Sequence, residues 1–144
     1  MNPFRTLLTM VGLASTTVAS ELQLQPGQCW SYSARTGEES SYLVIRKIES
    51  LEKLGEVAHI SVYGLKIKNP ASPSGFADQA GHIPITLEAL RSSLNKRIDR
   101  SIPSTDWMEG YSLWREAYDT GKGGVFTKSV SDCVGFMEEA INRK

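Results

Sequence analysis

An α+β fold, with a three-stranded antiparallel β-meander packed against three helices, is what this sequence predicts. Three observations carry it. Apolar residues alternate with polar ones between residues 28 and 67, the period changes to about 3.6 after residue 86, and the connections between the alternating runs are too short for crossovers.

The first predicted strand, Gln28 to Arg35, holds Trp30 and Tyr32 on alternate positions, and Thr36-Gly37-Glu38-Glu39 supplies turn chemistry before a second run, Ser40 to Glu49. These two runs make a hairpin. In the second, strict alternation puts Tyr42, Val44 and Ile48 on one face and Leu43 and Ile45 on the other, which marks a central strand with both faces covered. Leu51 to Glu56 turns the chain through Gly55, and Val57 to Ile67 forms a third strand with Ile60 and Val62 opposite His59, Ser61 and Tyr63. Asn69 to Gly81, punctuated by Pro70, Pro73, Gly75 and Gly81, reads as a surface loop of the kind that carries partner contacts.

Thr86 is placed to cap a helix whose apolar positions are Leu87, Leu90, Leu94 and Ile98, ended by Ser101 to Thr105 with Pro103. Asp106 followed by Glu109 resembles a capping box for a second helix, which Gly121 stops. Gly123 to Thr127 is a candidate short fourth strand. Ser129 then caps a last helix with Val130, Cys133, Val134, Met137, Ala140 and Ile141 on one side.

Ahead of this domain, Met1 to Ser20 reads as a cleavable secretory signal peptide of bacterial style. Arg5 supplies a positive start, Leu7 to Ala19 carries no charge, and Val18 and Ser20 put small residues at the cleavage positions. The apolar stretch is short for a hydrocarbon core of about 30 Å, so no membrane insertion is expected once it is cleaved. Residues 21 to 144 are expected to be one globular domain, exported to the periplasm or the extracellular space. Cys29 and Cys133 then form the expected disulfide, closing a loop of roughly a hundred residues and contributing at most about 4.7 kcal/mol.

The chain has 16 Lys and Arg against 16 Asp and Glu, and loss of a leader containing Arg5 leaves 15 against 16. That balance argues against nucleic acid, whose recognition rests on a basic excess or stripe. No cofactor or metal motif is present. His59 and His82 lack both His-x-x-x-His and His-Glu-x-x-His spacing, and Asp-Thr-Gly-Lys-Gly-Gly at 119–124 fails the phosphate-loop pattern because Glu116 and Gly123 stand where Gly and Ser or Thr are needed. No Gly-x-Ser-x-Gly elbow occurs. The acidic pairs Glu38-Glu39 and Glu138-Glu139 are expected in a turn and on a helix surface, solvated.

The most unusual segment is the second helix, where Trp107, Tyr111, Trp114 and Tyr118 recur at i, i+4, i+7 and i+11. The simplest use of such a stripe is packing on the sheet. Its functional use is a platform for a partner, since Trp, Tyr and Arg dominate interface energetics and Arg115 adjoins Trp114. Trp107, Tyr111, Trp114 and Arg115 are therefore the expected partner-binding residues. The expectation is a small exported binding protein whose partner is another protein, in the manner of an inhibitor or immunity protein. The alternatives are an envelope hydrolase or transferase whose site assembles around His59, His82 and Asp78, and a saccharide or small-ligand carrier.

Overall fold

The computed structural model describes residues 23–143, so the expected leader at 1–20 lies outside the described residues. The α+β class holds, with more sheet than the periodicity predicts. Five strands, β1 (Cys29–Tyr32), β2 (Tyr42–Leu51), β3 (Gly55–Lys68), β4 (Phe76–Thr86) and β5 (Leu94–Ile98), form one sheet in the order β4-β3-β2-β1-β5. Every pairing is antiparallel. Three helices complete the described residues, α1 (Leu87–Ser93), α2 (Trp107–Asp119) and α3 (Val130–Asn142).

Two strands correct the sequence reading. The expected loop at 69–81 is a tight turn at 69–75 followed by β4: Gly75 N–H bonds the Ser72 carbonyl, Asn69 N–H bonds the Gly75 carbonyl, and Gly75 adopts φ +83°. Pro84 does not break this strand because β4 lies at a sheet edge, where a missing N–H costs no ladder bond. The expected helix through Ile98 ends at Ser93, because the backbone of Leu94 turns extended and continues as β5 along the open edge of β1. Leu94 stays in the main core, while Ile98 packs on the opposite face with Cys29. Residues 123–127 make no fourth meander strand. Phe126 forms a single parallel bridge to Ile85, with Thr86 N–H on the Phe126 carbonyl at 2.9 Å and Phe126 N–H on the Pro84 carbonyl at 3.0 Å.

Side-chain alternation divides the sheet into two unlike faces. One carries Trp30, Leu43, Ile45, Ile60, Val62, Ile83 and Ile85, all fully buried under Leu90 of α1 and Val130, Cys133 and Val134 of α3. Each such aliphatic side chain stabilises the fold by about 1.5 to 3 kcal/mol through removal from water. The opposite face has a small apolar cluster, Cys29, Tyr42, Val44 and Tyr63, and buries Val57 beside the polar residues on the rest of it. The 99–106 segment crosses it, with the Arg100 guanidinium 3.8 Å above the Tyr42 ring and the Pro103 carbonyl accepting from Arg46 at 3.0 Å.

Cys29 and Cys133 are not bonded to each other, which corrects the expected disulfide. Both thiols are buried, but Cys29 belongs to the cluster on one face and Cys133 to the core on the other, so the sheet stands between them. Burial pushes the Cys133 thiol up to about 12, which leaves it protonated and inert at neutral pH.

The helix ends follow local chemistry unevenly. Thr86 Oγ1 accepts from Ala89 N–H at 3.2 Å and Ser129 Oγ from Asp132 N–H at 3.1 Å, as their positions predict. Asp106 makes no side-chain cap bond to α2, so the expected capping box does not form. Gly121, at φ +81°, closes α2: its N–H reaches the Tyr118 carbonyl and Lys122 N–H reaches that of Ala117, the two bonds of a Schellman ending. Glu38 and Glu138 are not merely solvated. Arg35 clamps Glu38 with two bonds of 2.8 Å and reaches Glu138 at 3.0 Å. The two carboxylates accept the backbone N–H groups of Lys66 and Lys68, which ties α3 and the 36–39 turn to the far end of β3.

Candidate functional site

The polar face of the sheet is where the chemistry-bearing residues meet, and a bulge in β2 decides which residues those are. Ile45 pairs with Ile60 and Lys47 with His59, so Arg46 is an extra residue in β2. Arg46 and Lys47 both end on the polar face. Arg46 donates to Ser61 Oγ at 2.9 Å and to Tyr63 Oη at 2.7 Å, and Lys47 Nζ lies 5.6 Å from the Tyr111 ring centroid. Beyond the bulge the alternation is inverted. Ile48 joins the apolar core with Leu43 and Ile45, and Glu49 arrives beside His59. The sequence reading put Ile48 with Tyr42 and Val44, and by the same alternation missed Glu49 altogether.

Glu49 is the hub. Its Oε2 accepts from His59 Nε2 at 2.7 Å and from the Tyr111 hydroxyl at 2.9 Å, and its Oε1 accepts from the Arg115 guanidinium at 3.0 Å. His59, with no solvent exposure, bonds through Nδ1 to Nε2 of half-buried His82 on β4 at 2.9 Å. Burial lowers the His59 pKa, opposed by the hydrogen bond to Glu49. His82, desolvated and beside His59, is pushed down to about 4. Both imidazoles are neutral at pH 7.

The aromatic stripe of α2 roofs this chain. Tyr111 meets the His59 ring edge-on with centroids 4.7 Å apart, and Trp114 does so at 4.9 Å. Trp114 Nε1 donates to the Gly124 carbonyl at 2.7 Å, which fastens the loop after α2 to the helix, and its ring stacks on Tyr118 at 5.4 Å. Gly123 is needed there, because a Cβ on it would come within 2.6 Å of the Tyr118 amide nitrogen. Burial first, then the bond to Glu49, raises the Tyr111 hydroxyl above its ordinary pKa. The stripe is thus neither scaffold core nor open platform: Trp107, Tyr111, Trp114 and Tyr118 are all half-buried, and α2 has no fully buried residue.

Of the four expected partner-binding residues, Tyr111, Trp114 and Arg115 face Glu49 and the histidines, while Trp107 contacts Tyr111 at 5.9 Å near the start of the helix. Arg115 is committed twice, to Glu49 and to Asp119 at 3.2 Å. Asp78 is exposed on β4 and takes no part, so the carboxylate that serves the histidine pair is Glu49. Among the described residues no hydroxyl or thiol bonds either imidazole, and no three His, Cys, Asp or Glu side chains are grouped to hold a metal. The outer side of α2 carries exposed Met108 and Leu113, the latter 65% accessible, and Ile102 is exposed just before the helix.

Comparison of the chain with protein-family models, with curated proteins and with solved structures finds no match to any of them.

Proposed function

We propose that this is a small exported binding protein, and that its working surface is α2 with the segment leading into it, directed at another protein. One observation carries the reading: a helix rich in Trp and Tyr lies on the sheet without burying a single residue fully, and it leaves Met108 and Leu113 exposed, as is Ile102 in the segment leading into it. Exposed large apolar side chains on a helix that also carries half-exposed aromatics are the composition that supplies interface energy. Export rests on the composition of residues 1–20 alone, since the unbonded cysteines lend it no support.

A photo-crosslinking residue at Leu113 or Met108 tests this in producing cells, with Asn95 on β5 as the control position. The reading expects one discrete adduct from positions 108 and 113 and none from 95. Equal labelling from all three positions, or none from any, overturns it.

A catalytic reading has the carboxylate and two imidazoles in its favour, since Glu49, His59 and His82 form a continuous hydrogen-bonded chain. A hydrolase or transferase built there requires an external nucleophile such as water, because neither imidazole activates a side-chain hydroxyl or thiol among the described residues.

A further inference from the structure

The chain Glu49–His59–His82 fixes where every proton sits, and its far end is an unused acceptor. The Glu49 carboxylate can only accept, so His59 Nε2 carries the hydrogen between them. A neutral His59 then has a lone pair on Nδ1, so His82 Nε2 must donate to it, and a neutral His82 is left with a lone pair on its own Nδ1. The low proton affinity of both rings keeps the chain in this one arrangement at neutral pH. His82 Nδ1 has no hydrogen-bond partner among the described residues and is not a buried orphan, so it reaches solvent.

That nitrogen faces the first turn of α2. Gly110 has no side chain there, and a Cβ built on it would stand 2.8 Å from His82 Cβ and 3.6 Å from Nδ1. Beside it opens a cleft of about 290 Å³ lined by Gly81, His82, Asp106, Glu109, Gly110 and Leu113. Its side-chain polar groups are all acceptors. Asp106 is free of the capping role its position offers, and neither it nor Glu109 has an ion-pair partner among the described residues. The Gly81 carbonyl is already taken by the Ser61 hydroxyl at 2.7 Å. Leu113 adds an exposed apolar wall.

We propose that this cleft is a recognition site for a cationic N–H donor, a guanidinium or ammonium group, whose hydrogen is accepted by His82 Nδ1 while Asp106 and Glu109 balance its charge and Leu113 covers its methylene stem. The inference rests on the binding reading above, in which an arginine or lysine of the partner protein supplies that group. Glu49 and His59 act as positioning residues, because they hold the ring in the tautomer that accepts. Charge-assisted bonds to a fixed acceptor are stronger than neutral ones and discriminate against ligands lacking the donor.

The test uses the isotope-labelled mature protein and nuclear magnetic resonance of its histidine side chains at neutral pH, with N-acetyl-arginine amide as the probe. Both rings are expected to carry their single proton on Nε2. Addition of the probe is expected to shift His82 Nδ1 and the Gly110 amide saturably, with N-acetyl-citrulline amide, its uncharged counterpart, weaker by roughly tenfold or more. Asp106→Asn combined with Glu109→Gln is expected to abolish the response while leaving the far-ultraviolet spectrum unchanged. A proton found on His82 Nδ1, a response absent up to tens of millimolar probe, or an equal response to the citrulline compound overturns the site. A discrete adduct at Leu113 together with a silent probe removes this site and leaves the binding reading standing. A saturable probe response without any adduct keeps the cation site and removes the protein as its source.

Discussion

The two faces of the sheet are built on opposite principles. Under α1 and α3 the sheet is dry: Leu43, Ile45, Ile60, Val62, Ile83 and Ile85 meet Leu90, Val130 and Val134, and Trp30 satisfies its indole N–H on Gln28 at 3.0 Å. Under α2 it is wet: Arg46, Ser61 and Tyr63 form one hydrogen-bonded group tied to the 99–106 segment, and His59 and Glu49 another tied to the helix above. Dry packing stabilises in proportion to area and demands little of direction, whereas a polar layer gains little net energy and costs much when one partner is missing. Apolar burial and polar, hydrogen-bonded chemistry are thus kept on different sides of one sheet. The dry side holds the strands in register, and that register aims the polar side chains.

Breaking the dry side has the largest effect. Ile60→Ala, which removes a fully buried side chain from the central part of β3, is expected to lower unfolding free energy by about 2 to 5 kcal/mol in a urea titration followed by circular dichroism. A loss below about 1 kcal/mol would mean that the dry face carries less than its burial implies.

Acid attacks the wet side next. Unfolded histidine takes up a proton near 6.5, while folded His82 stays neutral until about 4, so between those values the unfolded state binds more protons. The stability this neutral pair contributes is complete above about 6.5 and is lost as pH falls towards 4, by about 3 kcal/mol at most for His82. Urea titrations across that range measure it. His82→Gln is expected to flatten the slope, and a slope unchanged in that variant would assign it to other groups.

The smallest effects separate the helices. Thr86→Ala and Ser129→Ala, which cap the two helices of the dry face, are each expected to cost about 1 kcal/mol in thermal unfolding. Asp106→Ala, at the start of the wet-face helix where no cap bond forms, is expected to cost only a few tenths of that. An equal cost at all three positions would erase the distinction in how the helices are held.

The sequence made the dry face easier to read than the wet one. Period-two alternation correctly separated Ile60 and Val62 from His59, Ser61 and Tyr63, and Thr86 and Ser129 announced their helices. Alternation was silent at β4 because Pro70, Pro73, Gly75 and Gly81 outweighed the short runs between them, although only the 69–75 portion turns. It was misleading at β5, where Leu94 and Ile98 extend the helical spacing of Leu87 and Leu90 while their backbone pairs with β1. The aromatic stripe was visible as a stripe, but its half-burial depends on what the opposite sheet face offers, and that face is set by a bulge that no spacing rule announces. Glu49 was hidden for this reason alone. A polar residue after a run of apolar alternation looks like the end of a strand, and only the inserted Arg46 turns it inward.

That insertion makes the candidate site depend on one irregularity of strand pairing, more than on the identity of the residue inserted. A descendant of this chain lacking Arg46 would lose the bulge but keep Lys47 opposite His59 and Glu49 opposite Val57, so its carboxylate would stay beside the imidazole and only the guanidinium bonds to Ser61, Tyr63 and Pro103 would go. Flattening the bulge at full length is the change that would separate the acid from its imidazole, because unbroken alternation through Arg46 turns Glu49 to the side already filled by Ile60 and Val62.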